Sequence, residues 1–177
     1  LGAATITAAD INNGSNDACG IASLSLNNTT FDCSNVGANT VVLTVTDTNG
    51  NASTCSAIVT VEDNVAPVAT CQALTVQLNA AGTATITAAQ IDNGSSDACG
   101  IASTTIDVSS FDCTNVGANT VTLTVTDNNG NVSTCTSTVT VEDNVDPNAV
   151  CQDITVQLSA LGAATITAAD INNGSND

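Results

Sequence analysis

Apolar and polar residues alternate most clearly where Val121, Leu123 and Val125 interleave with Thr122, Thr124 and Thr126. That period of two predicts a half-buried strand. Asp127-Asn128-Asn129-Gly130-Asn131 follows, and its Asn-Gly pair suits a turn that needs positive φ. Val139 and Val141 then alternate with Thr138 and Thr140, which predicts a second strand returning beside the first. The hairpin ends in an acidic joint, Glu142-Asp143-Asn144, with Pro147 shortly after. The same pattern stands 80 residues upstream, over residues 41–64, and ends in Glu62-Asp63-Asn64.

Residues 1–63 align without a gap on 81–143 and match at 44 of 63 positions, so the hairpin belongs to a longer repeat. Residues 1–17 recur letter for letter as 161–177. A unit of 80 residues suits a small domain better than one turn of a solenoid. The boundaries read as 1–63, a repeat lacking its first strand; 64–143, a complete repeat; and 144–177, the opening strands of a third. Within the complete repeat, residues 68–71 and 74–78 predict an interrupted first strand, and 83–91 predict the next. Residues 100–106 predict a third strand and 108–113 a short fourth carrying Phe111, with 114–120 turning into the hairpin. No segment keeps a helical period. Six or seven short strands with a turn every 8–12 residues predict an all-β chain of tandem immunoglobulin-like sandwiches.

Composition changes the picture by exclusion. There is no Lys, Arg or His, against 17 Asp and Glu, for a net charge of −17. Nucleic acid is excluded as a partner, because its phosphates need basic side chains. Direct contact with an anionic membrane is excluded on the same ground, and no apolar run is long enough to span a bilayer. Catalysis is not expected. A Ser, Thr or Cys nucleophile needs a base, usually His or Lys, and two Phe are the only aromatic residues available for a carboxylate-lined cleft. Lacking an initiating Met and beginning inside a repeat, the chain reads as a mature segment cut from something longer. The other reading is that one chain's tail completes the next chain's head.

Eight cysteines recurring with the repeat predict disulfides and an oxidising compartment. No Cys-x-x-Cys pair suggests zinc. Cys99 and Cys113 close a short loop, worth about 3 kcal/mol in the chain-entropy model, and Cys19 with Cys33 repeats that spacing. Cys71 and Cys135 begin the first and last strands, which start at one pole of such a sandwich; their bond is worth roughly 4 kcal/mol. Cys135 with Cys151 is the competing pair. Cys55 and Cys151 are left without partners in the sequence.

The acids concentrate at the joints between repeats. Glu62, Asp63 and Asn64 end one repeat, and Asp92, Asp97, Asp127 and Asn129 belong to loops of the next that should face them. Oxygen-only ligands in that number suit calcium, which takes six to eight. At the second joint Glu142, Asp143 and Asp146 should meet Asp177. There Asn172 stands where Asp92 stood, and Asp146 replaces Ala66. The competing reading is a solvated acidic surface.

Several motifs carry a resemblance across nearly the whole chain. They are Cys-Gln-x-[Leu/Ile]-Thr-Val-Gln-Leu (71–78, 151–158), Ser-x-Asp-Ala-Cys-Gly (15–20, 95–100), Asn-Val-Gly-Ala-Asn-Thr (35–40, 115–120), Thr-Asp-x-Asn-Gly-Asn and Thr-Val-x-Asp-Asn. In that order they resemble the HYR-type immunoglobulin-like repeat, most of all the versions in giant surface proteins of gliding bacteria such as the SprB-type mobile adhesins. The resemblance implies an extracellular, cell-surface stalk, exported by type IX secretion, that carries an adhesive tip for attachment or gliding motility. Its partners would be adjacent repeats of the same chain and identical chains in a fibre. The alternative is a repetitive adhesive array or self-assembling fibre that binds glycans or neighbouring chains. Thr-rich strand faces without Trp or Tyr favour the stalk, although outward-facing Ile58 hints at lateral packing.

Overall fold

The computed structural model describes residues 2–177. The first repeat holds β1 (Ala3–Thr5), the helical turn α1 (Ala8–Ile11), β2 (Ile21–Leu26), β3 (Thr30–Asp32), β4 (Gly37–Asp47) and β5 (Ala52–Val61). The second holds β6 (Leu74–Gln77), β7 (Thr83–Thr85), α2 (Ala88–Ile91), β8 (Ile101–Ile106), β9 (Ser110–Asp112), β10 (Gly117–Asp127) and β11 (Val132–Glu142). Only α3 (Ala168–Ile171) follows. The chain is all-β apart from these single helical turns and two short 3-10 turns.

Both hairpins form in the same register, Gly37 opposite Val61 in the first and Gly117 opposite Val141 in the second. Gly130 takes φ +92°, the left-handed conformation the Asn-Gly turn requires. In the second repeat β8 adds antiparallel to β10, and β6 adds parallel to β11, giving the order β6-β11-β10-β8. The first repeat has β2-β4-β5, with no strand beyond β5. A two-stranded sheet, β7-β9 or β1-β3, accompanies each.

The core follows the alternation. Val121, Leu123, Val125, Val139 and Val141 are at most 1 % exposed, and Phe111, Ile86, Ile91 and Leu78 pack with them. Each such side chain contributes about 1.5–3 kcal/mol on burial. Among the described residues of the first repeat, only Phe31, Val41 and Leu43 are apolar side chains buried to 3 % exposure or less. The edge of β5 that would take a β6-like strand is uncovered there.

Three expectations are corrected. The strand expected over 83–91 stops after Thr85, and a helical turn follows. Thr87 N–H donates to Gln90 Oε1 at 2.9 Å, a capping box that turns the chain and drives Ile91 into the core. The turn expected over 114–120 is shorter: a 3-10 turn covers Cys113–Asn115, and β10 begins at Gly117. Finally, residues 144–177 form no strand. Their regular structure is limited to α3 and the isolated bridges Asn148–Asn176 and Cys151–Asn172. The counterpart of β6 falls in this segment, but β6 is held by β11, and no β11 counterpart exists for the third repeat within the sequence. Leu158 stays 68 % exposed as a result, where its counterpart Leu78 is only 4 % exposed. Among the described residues no helix is long and apolar enough to cross a membrane.

Candidate metal centre at the joint between repeats

Asp63 leaves the end of β5 and meets the loop before β8. Oxygens of Asp63 and Asp97 and the sulfur of Cys99 all lie within 4.8 Å of one another. One Asp63 oxygen accepts from the Val65 N–H at 3.1 Å. The other, Oδ2, is buried and has no hydrogen-bond partner. Asp97 Oδ1 accepts from the Cys99 N–H at 2.7 Å, which fixes its carboxylate at the joint. Asn131 completes the contact. Its side-chain amide donates to the Asp63 carbonyl at 3.0 Å and to Asp127 Oδ2 at 2.7 Å.

The cysteine beside these acids is not a thiolate. Cys99 is bonded to Cys33 of the preceding repeat, with Cα atoms 5.2 Å apart. This corrects two expected pairs, Cys99 with Cys113 and Cys19 with Cys33. The period places Cys33 and Cys113 at equivalent positions and cannot say which repeat's loop each one faces. Docking of the repeats brings Cys33 to the loop of the next one. Cys71 is bonded to Cys135, the pair read from the strand poles, with Cα atoms 5.9 Å apart. Cys19, Cys55, Cys113 and Cys151 are unpaired and exposed. Shifting either bond by 80 residues gives none of the four a partner within residues 1–177. Two disulfides suit an oxidising compartment outside the cytoplasm.

The remaining expected ligands scatter. Glu62 is exposed and accepts from its neighbour Asn64 at 3.2 Å. Asp92 caps its own loop through the Ser95 N–H and its backbone bridges Cys71. Asp127 is only 1 % exposed. Its oxygens accept from the Asn129 N–H, the Asn131 N–H and the Asn131 side chain, so it holds the hairpin loop and does not face the joint as an open ligand. Burial pushes its carboxyl up, but the Asn131 side chain and the loop N–H groups outweigh this and hold it below the usual carboxylate range. Asn129 contributes backbone to that cap, and its side chain is exposed. Asp47 plays the same part in the first hairpin. Asn131 is the joint residue that sequence reading left in the turn. Its signal was the repeated Asp-x-Asn-Gly-Asn, whose last Asn is free to reach outward.

At the second joint Asp143 and Asp177 line one cleft with Gly82 and Cys113, the counterparts of the first site. Glu142 accepts from Gln77 at 2.6 Å, which ties β11 to β6, and Asp146 is exposed. The pair Asp63 and Asp97 therefore recurs as Asp143 and Asp177.

The joint fits a hard cation by its donor chemistry. It offers carboxylate and carbonyl oxygens, a buried carboxylate oxygen with no donor, and no base anywhere in the chain to serve instead. Two carboxylates are few for calcium, so water would complete the shell. Comparison with models of known protein families gave no match, and comparison with curated proteins gave none.

Proposed function

We propose that this chain is the stalk of an extracellular cell-surface adhesin, a row of immunoglobulin-like repeats of the HYR type that holds a distal binding tip away from the cell. One observation carries the reading: the end of one repeat is bonded covalently to the next through Cys33 and Cys99. Non-covalent neighbours need no such bond, whereas a spacer that must keep its length and direction does. Calcium at Asp63 and Asp97 would serve the same end, cancelling the repulsion of carboxylates that no basic residue relieves. The polar strands support a spacer over an adhesive surface, with Thr122, Thr124 and Thr126 lying between the buried valines of β10.

Small-angle scattering of the chain, with calcium and with chelator, tests the reading. A stalk has an elongated profile that lengthens by a constant step for each 80-residue repeat appended. A compact profile that fails to lengthen with added repeats would overturn it. Retention on a glycan array by the repeats alone would instead favour the adhesive array.

A further inference from the structure

The two disulfides interleave: Cys33 pairs with Cys99, and Cys71 lies inside that loop while its partner Cys135 lies outside. We infer that the pair acts as a strain limiter, routing tension across the joint through sulfur so that the fibre cannot be drawn out even if its repeats unfold. The mechanics follow from connectivity alone; their use in holding a tip at a distance rests on the stalk reading.

Tension entering along β3 reaches Cys33 and crosses directly to Cys99. From there the shortest covalent route runs back along the chain to Cys71 and across to Cys135. Only the 28 residue steps from Cys71 to Cys99 then set the reach between Cys33 and Cys135, about 95 Å at full extension against about 350 Å for the uncrosslinked chain. The hairpin β4-β5, the Glu62-Asp63-Asn64 end of the first repeat, and residues 100–134 with β10 and the turn after it lie on slack, parallel routes, whereas Asp97 lies on the taut one. They can lose their hydrogen bonds without lengthening the fibre beyond that limit.

The joint is shaped around this bond. A Cβ on Gly2 would stand 2.5 Å from Cys33 Sγ and 3.4 Å from Cys99 Sγ, so the chain passes closer to the disulfide than any side chain allows. Gly82 stands in the same relation to Cys113, at 2.7 Å. Both glycines hold positive φ, where an L side chain is strained as well. The approach is thus built into both repeats, whether or not the cysteine is paired. The carboxylates of Asp63 and Asp97 flank the Cys99 sulfur and repel an incoming thiolate, the species that attacks disulfides.

Force spectroscopy on the 177-residue chain held by its ends tests this, with exposed Cys19, Cys55, Cys113 and Cys151 changed to Ser to prevent exchange. The reductant is a neutral dithiol. Its thiolate attacks one sulfur, its second thiol resolves the mixed disulfide, and it leaves as a cyclic disulfide with two protons and two electrons passed to the cysteines. Reduction should add about 250 Å of contour to the fully stretched chain. With Cys71→Ser and Cys135→Ser also present, only the joint bond remains, and reduction should still add about 220 Å. If that variant has the same contour with and without reductant, the inference is overturned. Peptide mapping of the unsubstituted chain guards against a variant that misfolds: absence of a Cys33–Cys99 peptide there overturns it equally. Should the contour gain appear while scattering shows no rod, the limiter stands and the stalk reading falls.

Discussion

The side-chain amide of Asn131 donates to the backbone carbonyl of Asp63, 68 positions away and in the preceding repeat, at 3.0 Å. Its counterpart Asn51 makes the same cap, donating to Asp47 Oδ2 at 2.8 Å, but is exposed and makes no hydrogen bond to another repeat among the described residues. Asn131→Ala should therefore cost more than Asn51→Ala, by about 1 kcal/mol for the joint hydrogen bond. Thermal melts of the two variants measure the difference. Equal losses would mean that Asn131 does no more than close its own hairpin.

Low pH acts on this chain in two opposing ways. Protonation relieves the self-repulsion of 17 acids, but it also removes hydrogen bonds that only the folded state provides. Asp47 and Asp127 are held below the usual carboxylate range in the fold, Asp47 first by the Asn51 side chain. A depressed native value means that the contribution is complete above the unfolded value near 4 and is lost as pH falls through the native one. Asp127→Asn isolates it from the general repulsion. The melting temperature of the native chain should exceed that of Asp127→Asn by a constant margin from neutral pH to about pH 5, and the margin should shrink below about pH 4. A margin that stays constant at low pH would contradict the assigned role of the carboxylate.

Calcium should raise the melting temperature. At a concentration one hundred times the dissociation constant the stabilisation is about 2.7 kcal/mol. Asp63→Asn should abolish most of that rise. In chelator the same substitution should be neutral or stabilising, since it removes one of two facing carboxylates. An unchanged melt with calcium would leave Asp63 and Asp97 as solvated acids.

Much of the second repeat was legible from alternation. Val121, Leu123 and Val125 are buried where the period of two put them, because one face of a long hairpin has a single place to go. Cys71 with Cys135 was legible because Cys71 leads into β6 and Cys135 lies in the first half of β11, and those two strands end up adjacent. The link between Cys33 and Cys99 was not. In a repeated sequence the period fixes a position within the unit but not which copy meets which, and the short spacing from Cys99 to Cys113 offered a simpler loop. Thr87 and Gln90 carried a capping signal that the run of Thr and Ala around them obscured. Asp127 illustrates the remaining difficulty: an acid in a turn looks the same whether its oxygens face a neighbour or close on its own loop.

Peptide mapping under non-reducing conditions tests the central claim most directly. Trypsin finds no Lys or Arg at which to cut, so the digestion uses a protease that cleaves at acidic residues. One linked peptide should join Cys33 to Cys99 and another Cys71 to Cys135, and removing the first bond should cost about 4 kcal/mol of stability by loop-closure entropy. A peptide joining Cys99 to Cys113, or Cys19 to Cys33, would close each bond within a single repeat and contradict a covalent joint between them.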